Sequence, residues 1–225
     1  MGDMIERLQH CTLFAGITQQ EIEALLGCLR PVRRTYPKDA VIWHEGERVQ
    51  SVGLVLSGRA VILRDDFWGN RSILGESAAG DLFGESYACA PGAPLTVSVI
   101  AAEDCEVLFI NIAQALTMCT HVCAFHVRLV NNLMHILAGK NLMLSRKIDH
   151  ISRRTTREKL LAYLSDQAEA QGGSSFDIPF NRQELADYLS VDRSALSQVL
   201  SCMKREGLLD FQRSHFTLFT DRSES

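Results

Sequence analysis

Near the C-terminal end, Arg193, Ser194, Ser197 and Gln198 bring together the side-chain types that read base edges, at a spacing that keeps them on one side of a helix. Arginine pairs bidentately with guanine and glutamine with adenine, and serine serves either. Ser201, Lys204 and Arg205 extend the same face, so short hydrogen-bonding groups come first and cations later. That order suits a helix whose opening turns enter a major groove while its later turns meet phosphate. Leu196, Val199, Leu200 and Met203 recur at helical spacing and must face inward. A solvated helical hairpin would carry a similar pattern, and the neighbouring residues discriminate between the two.

Upstream, Asn181 followed by Glu184 is a capping box, and Leu185, Ala186 and Leu189 form the inward stripe of a first short helix. Ser190 and Val191 make a turn, and Asp192 is a good N-cap for the second helix. Beyond Gly207, Leu208 to Phe211 alternates into Phe216 to Phe219 across Gln212-Arg213-Ser214-His215, a hairpin with a basic tip. Helix, turn, helix and hairpin together predict a winged helix-turn-helix. Arg193, Ser194, Ser197 and Gln198 are its candidate base readers, and Lys204, Arg205 and Arg213 its candidate phosphate contacts.

A second constellation is the loop Gly80-Asp81-Leu82-Phe83-Gly84-Glu85-Ser86. Two glycines would let backbone N–H groups approach a ligand, and a buried acid would need a partner such as a ligand hydroxyl. A capped turn between a strand and a short helix would use the same residues. The loop lies within Arg33 to Ile112, where the apolar period is two. Segments at Val41–Trp43, Gly53–Leu56, Ala60–Leu63, Arg71–Leu74, Leu95–Ala101 and Cys105–Ile110 are predicted strands, with turns at Glu45-Gly46, Ser57-Gly58 and Gly69-Asn70. Short strands with glycine at the corners and no helices between them predict an antiparallel roll or barrel. Thr18, with Glu21 in capping-box position, opens a lead-in helix from Gln20 to Leu29.

Between roll and winged region, residues 115–147 contain neither proline nor a loop cluster. A helix there would run about 50 Å. Val122, Leu129, Ile136 and Met143 repeat every seven residues, and Met118, Phe125, Asn132 and Gly139 fill the complementary positions. That is a two-stranded seam, with Asn132 a polar residue able to set its register. Leu133, Leu137 and Leu144 widen the apolar face enough to pack on the roll as well. Asp149 to Thr156 reads as a polar hinge, with Thr156 capping a further helix from Arg157 to Glu169. The chain thus divides into a sensing roll at 1–114, a dimerisation helix and hinge at 115–150, and a winged domain at 151–225.

Composition sets the limits. Apolar residues make up 46% of the 225, enough for two cores. There is no signal peptide and no apolar run of the ~18 residues that span a membrane. Seven scattered cysteines with no CxxC pair predict a reducing cytoplasm. The net charge is −4, and residues 151–225 hold ten Lys and Arg against eleven Asp and Glu. DNA affinity must therefore come from the arrangement of charge, not an excess of it. No Ser/His/Asp or paired-acid set has a spacing that predicts catalysis.

The order of a glycine-rich roll, GDLFGES, a long helix and a winged helix-turn-helix resembles the Crp/Fnr family of bacterial transcription regulators, from Leu13 to Phe216. The resemblance implies an α+β protein with a cyclic-nucleotide-binding-like roll and a homodimer on an inverted-repeat operator in double-stranded DNA. It further implies a small effector between roll and helix, and RNA polymerase as a partner if the regulator activates. By the same resemblance Gly84, Glu85, Ser86, Leu95 and Thr96 occupy the effector-contacting positions. Where cyclic-AMP-responsive members place an arginine, this chain has Leu95, followed by Thr96. A phosphate without that cation forgoes a charge-assisted bond of about 1.5–3 kcal/mol, which disfavours cyclic AMP. The iron–sulfur branch uses closely spaced N-terminal cysteines; Cys11 and Cys28 alone disfavour a cluster.

Heme stays open, since one His or Cys can ligate iron, and His10, Cys11, His44, Cys119, His121, Cys123 and His126 are candidates. Cys119 and Cys123, one turn apart, either pack as small core residues or form a soft-metal or redox pair. A heme- or cysteine-based redox or gas sensor of the same architecture is the alternative to an effector-binding regulator. The family's usual glutamate–arginine base contacts are replaced here by Ser194 and Gln198, which predicts a different operator.

Overall fold

The computed structural model describes residues 2–65, 67–68, 71–90, 92–112 and 123–219, apart from the side chains of Asp3, Asp65 and Arg71. The chain forms two compact units, Met1–Gly139 and Lys140–Ser225.

The first unit holds helices α1 (Gly2–Gln9), α2 (Gln19–Leu29) and the short α3 (Glu85–Ala88), and strands β1 (Val32–Tyr36), β2 (Val41–Trp43), β3 (Ser51–Ser57), β4 (Arg59–Asp65), β5 (Arg71–Ala78), β6 (Leu82–Phe83), β7 (Ser98–Ala101) and β8 (Cys105–Asn111). They form two antiparallel sheets, ordered β1-β8-β3-β6 and β2-β7-β4-β5. Strand alternation sends Val107 into a cluster with Trp43, Val55, Phe83, Leu95 and Val99, which draws on both sheets. Leu108 and Ile110 point the other way, into a second cluster with Ile5, Leu8, Ile22, Leu25 and Leu29 of the lead-in helices. The capping box of Thr18 and Glu21 is formed as predicted. The predicted strand from Leu95 is shorter, beginning at Ser98, and the glycine-rich loop contains the two-residue β6. The turn expected at Gly69-Asn70 lies outside the described residues.

Helix α4 (Ala124–Ser152) supplies residues to both units. Cys123 precedes it and is not helical, so the expected run from 115 is not continuous through that point. At its other end α4 continues past Lys147 into the first half of the stretch expected as a polar hinge, ending at Ser152. Its polar residues find local partners: Arg153 pairs with Asp149 at 2.9 Å and Ser152 Oγ donates to the Asp149 carbonyl. The break falls at Arg153 to Thr155, inside the expected stretch.

In the second unit, α5 (Thr156–Gln171) is capped by Thr155, not Thr156. A capping box needs an acid three residues on, which Thr155 finds in Glu158 while Thr156 would face Lys159. Helices α6 (Arg182–Leu189) and α7 (Arg193–Arg205) follow, with the antiparallel sheet β10 (Leu209–Gln212), β11 (His215–Leu218), β9 (Ser175–Asp177) in that order. Leu160, Leu164, Leu185, Leu189, Leu196, Leu200, Met203 and Phe216 are wholly buried in one core. His150 is buried beside it, bonded through Nε2 to Asp166 at 2.9 Å and through Nδ1 to the Tyr188 hydroxyl at 3.1 Å.

Candidate nucleic-acid interface and glycine-rich loop

Helix α7 starts where Asp192 Oδ1 accepts from the backbone N–H groups of Ser194 and Ala195. Those bonds, led by the Ser194 hydroxyl, hold the Asp192 carboxyl below its usual range. Leu196, Leu200 and Met203 anchor the inner face, so Arg193, Ser194, Ser197 and Gln198 are left exposed. The hydroxyl protons are already engaged: Ser194 donates to Asp192, Ser197 to the Arg193 carbonyl and Ser201 to the Ser197 carbonyl. What remains to Ser194 and Ser197 is acceptor capacity, suited to a base amino group.

The cations assigned to phosphate are not equivalent. Lys204 is ion-paired with Asp210 and lies 5.4 Å over the Phe211 ring. Arg205 Nε donates to the Ser201 carbonyl at 3.4 Å. Arg213 sits exposed at the tip of the β10–β11 hairpin with φ +55°, in the two-residue turn it forms with Ser214. Sequence reasoning passed over Arg182, at the first position of α6. Its guanidinium lies 4.9 Å over Phe211 and 5.8 Å over Phe216, and burial lowers its pKa. The signal was faint because the aromatic partners lie about thirty residues downstream.

In the first unit, Gly84 adopts φ +74° at the start of α3, a conformation that favours glycine. The space a Cβ would fill there is taken by Trp43, whose indole would meet it at 2.3 Å. Trp43 packs edge-on against Phe83 at 4.9 Å between ring centres, with Phe109 at 5.5 Å. Leu95 is 2% exposed within the same cluster. Glu85 is buried and Ser86 exposed. Thr96 is exposed, its hydroxyl 2.6 Å from that of Tyr87. Residues 80–97 contain neither Lys nor Arg. A cyclic phosphate therefore finds no cation in this loop, and Trp43 and Tyr87 already contact two of the positions expected to meet a ligand.

The expected seam residues also separate. Met118 and Val122 lie outside the described residues. Leu129 is 2% exposed in the core of its own unit, with Phe125 and Ile136 packed against that core. Asn132 Nδ2 donates to the Leu13 and Ala15 carbonyls, both at 2.9 Å. Its amide fastens α4 to the lead-in segment, a use that only the tertiary pairing reveals. Arg128 does the same through the Gly16 carbonyl and Glu21. Met143 is exposed, as are Val127, Met134, Leu144 and Ile148.

Among the heme candidates, Cys119 and His121 lie outside the described residues. His10 and His44 are exposed, Cys123 is half-buried and His126 is buried, its ring 5.0 Å from that of Phe125. Cys11 is buried, its thiol donating to the Arg7 carbonyl, and burial raises its pKa. Among the described residues no three His, Cys, Asp or Glu side chains converge as a metal site. No described helix is long and apolar enough to cross a membrane.

Residues 33–121 match the cyclic nucleotide-binding domain family, and residues 158–223 the Crp-like helix-turn-helix domain family. The chain is 28% identical over 204 residues to the cyclic AMP receptor protein of Thermus thermophilus, covering 88% of this chain and 87% of that one. It is 25% identical over 225 residues to the transcriptional activator protein FnrL of Cereibacter sphaeroides, covering 95% and 86%. The crystal structure of the Thermus thermophilus catabolite activator protein superposes with a TM-score of 0.50 at 25% identity, covering 92% of this chain and 93% of that one. CprK in complex with OCPA superposes with a TM-score of 0.61 at 16% identity, covering 88% and 92%, a likeness of fold.

Proposed function

Because the chain belongs to the Crp/Fnr family of transcription regulators, we propose that it acts as a homodimer on an inverted-repeat operator in double-stranded DNA, under the control of an effector other than cyclic AMP. The observation that carries this reading is the exposed polar face of α7 over a wholly buried inner stripe. Arg193 reads bases by donation, Gln198 both donates and accepts, and Ser194 and Ser197 accept. Arg213 at the wing tip and Arg205 meet phosphate, with Lys204 contributing less because Asp210 offsets its charge. The three-part division of the chain belongs to this reading, with the roll as sensor, the long helix as dimer contact and the winged region as DNA-binding domain. A cytoplasmic location follows from the same role.

The dimer contact we assign to a revised stripe of α4. Val127, Val130, Met134, Leu137, Asn141, Leu144 and Ile148 follow the alternating three-and-four spacing of a two-stranded seam. Five of these seven are exposed on the isolated chain, including Met134 at 61% and Ile148 at 62%. Asn141 takes the polar register-setting role expected of Asn132. Two recognition helices would then address half-sites about 34 Å apart, and an effector held between roll and α4 would shift the population of pairs in that spacing.

Operator selection from random DNA at stated salt tests the reading. A twofold-symmetric site is expected. Arg193→Ala should then weaken binding about 10- to 100-fold and relax preference at one base pair per half-site. Unchanged affinity and preference would remove α7 from the recognition role.

A further inference from the structure

A cleft of about 570 Å³ opens in the first unit, between the lead-in helices and the sheet face that carries Leu108. Ile5 and Leu108, both buried, form its floor, and Met4 and Leu26 are half-buried along its sides. Its volume is that of a small-molecule site, and its lining is mainly apolar with a few polar groups, as such sites are built. Two exposed arginines, Arg30 and Arg33, border it.

The arginines differ in a telling way. Arg33 shares an ion pair with Glu106, to which Arg7 also approaches at 3.9 Å. Arg30 caps α2 in the left-handed conformation, φ +43° and ψ +55°. That position is normally filled by glycine or asparagine, and an arginine there carries backbone strain. The guanidinium has no partner among the described residues, so an uncompensated, forked cation stands beside an apolar trough. Glu23 also borders the cleft, seven residues before Arg30 on α2, about 10 Å along the helix axis. The electrostatics of the cleft thus favour an anionic group at the Arg30 end, away from Glu23.

We propose that this cleft is a second ligand site, outside the roll, for an amphipathic monoanion: a linear acyl chain ending in a carboxylate. The chain lies over Met4, Ile5, Leu26 and Leu108, and the carboxylate takes two parallel bonds from Arg30. The site uses no residue of the glycine-rich loop and does not depend on the DNA-binding reading.

Calorimetric titration of the full chain with decanoate, below its micelle-forming concentration, and separately with 1-decanol tests this. Decanoate should bind saturably, once per chain. Arg30→Gly and Arg30→Asn suit the left-handed backbone, so both should keep the thermal midpoint while weakening decanoate at least tenfold and leaving decanol unchanged. Gly27→Phe, on the cleft wall where an added Cβ meets nothing within 4 Å, should weaken both ligands. The site is overturned if decanoate gives no saturable heat, if both Arg30 variants bind it as tightly as the parent chain, or if Gly27→Phe affects neither ligand.

Discussion

In the glycine-rich loop, Trp43 lies over Gly84, Leu95 is buried and the Thr96 hydroxyl is held by Tyr87. On α7, by contrast, Arg193 and Gln198 project from a helix whose opposite face is fixed by Leu196, Leu200 and Met203. Both regions carry functional residue types at meaningful spacing. They differ in where the fold's apolar demand falls. The helix satisfies it entirely on one side, which leaves the other side free for a partner. The loop lies against the interior of a roll, so an aromatic ring fills the space beside Gly84. A binding motif inside a core is thus open only as far as its neighbours are small, whereas a motif on an amphipathic surface helix stays open by construction.

The largest effect expected from this contrast is on Trp43. Trp43→Ala should cost the first unit about 3–5 kcal/mol, since a large aromatic is removed from a packed cluster. Leu200→Ala should cost the second unit about 2–5 kcal/mol by the same mechanism. Scanning calorimetry of the full chain reads both: each variant should lower one transition and leave the other in place. If the two transitions move together in either variant, the units unfold as one and the contrast between them loses its energetic basis.

Asn181→Ala tests a smaller, local element. It removes the oxygen that accepts from the N–H groups of Gln183 and Glu184, and should cost about 1 kcal/mol in denaturant unfolding. A loss near zero would mean that α6 is held by the core alone.

Acid should produce the smallest effect. The hydrogen bond from Arg157 holds the Glu206 carboxyl below its usual 4.5, and that from Lys204 holds Asp210 below 3.8. With both values depressed by folding, the stabilisation is complete above those usual values and fades as the pH falls through and below them. The melting temperature of the second unit should therefore decline on acidification below pH 4.5, and Glu206→Gln with Asp210→Asn should flatten that decline. An equally steep decline in the double variant would assign the acid sensitivity to other groups.

Much of the architecture was legible without coordinates. The helix caps at Thr18, Asn181 and Asp192 rest on side-chain bonds to residues two or three positions away, and short-range chemistry of this kind is written directly into the chain. The same holds for β3, β4 and β8 as short apolar runs bounded by turns, with β3 and β8 buried nearly throughout, and for the inner stripe of α7. The cap at Thr155 was misplaced by one residue, although Glu158 supplied the deciding signal. On α4 a strict seven-residue repeat and an intrachain packing stripe overlap, because a long helix with a broad apolar face offers several registers at once. Periodicity alone could not say which stripe its own roll would claim.

Local spacing by itself determined the caps, strands and the helix-turn-helix with its wing, because each depends on neighbours within a few residues. Only the tertiary structure decided that Trp43 would cover Gly84, that Asn132 would bond to the carbonyls of Leu13 and Ala15, and that Arg182 would lie over Phe211 and Phe216. Those partners are separated along the chain by tens of residues or more. Their meeting depends on how whole elements pack, and no local pattern encodes it.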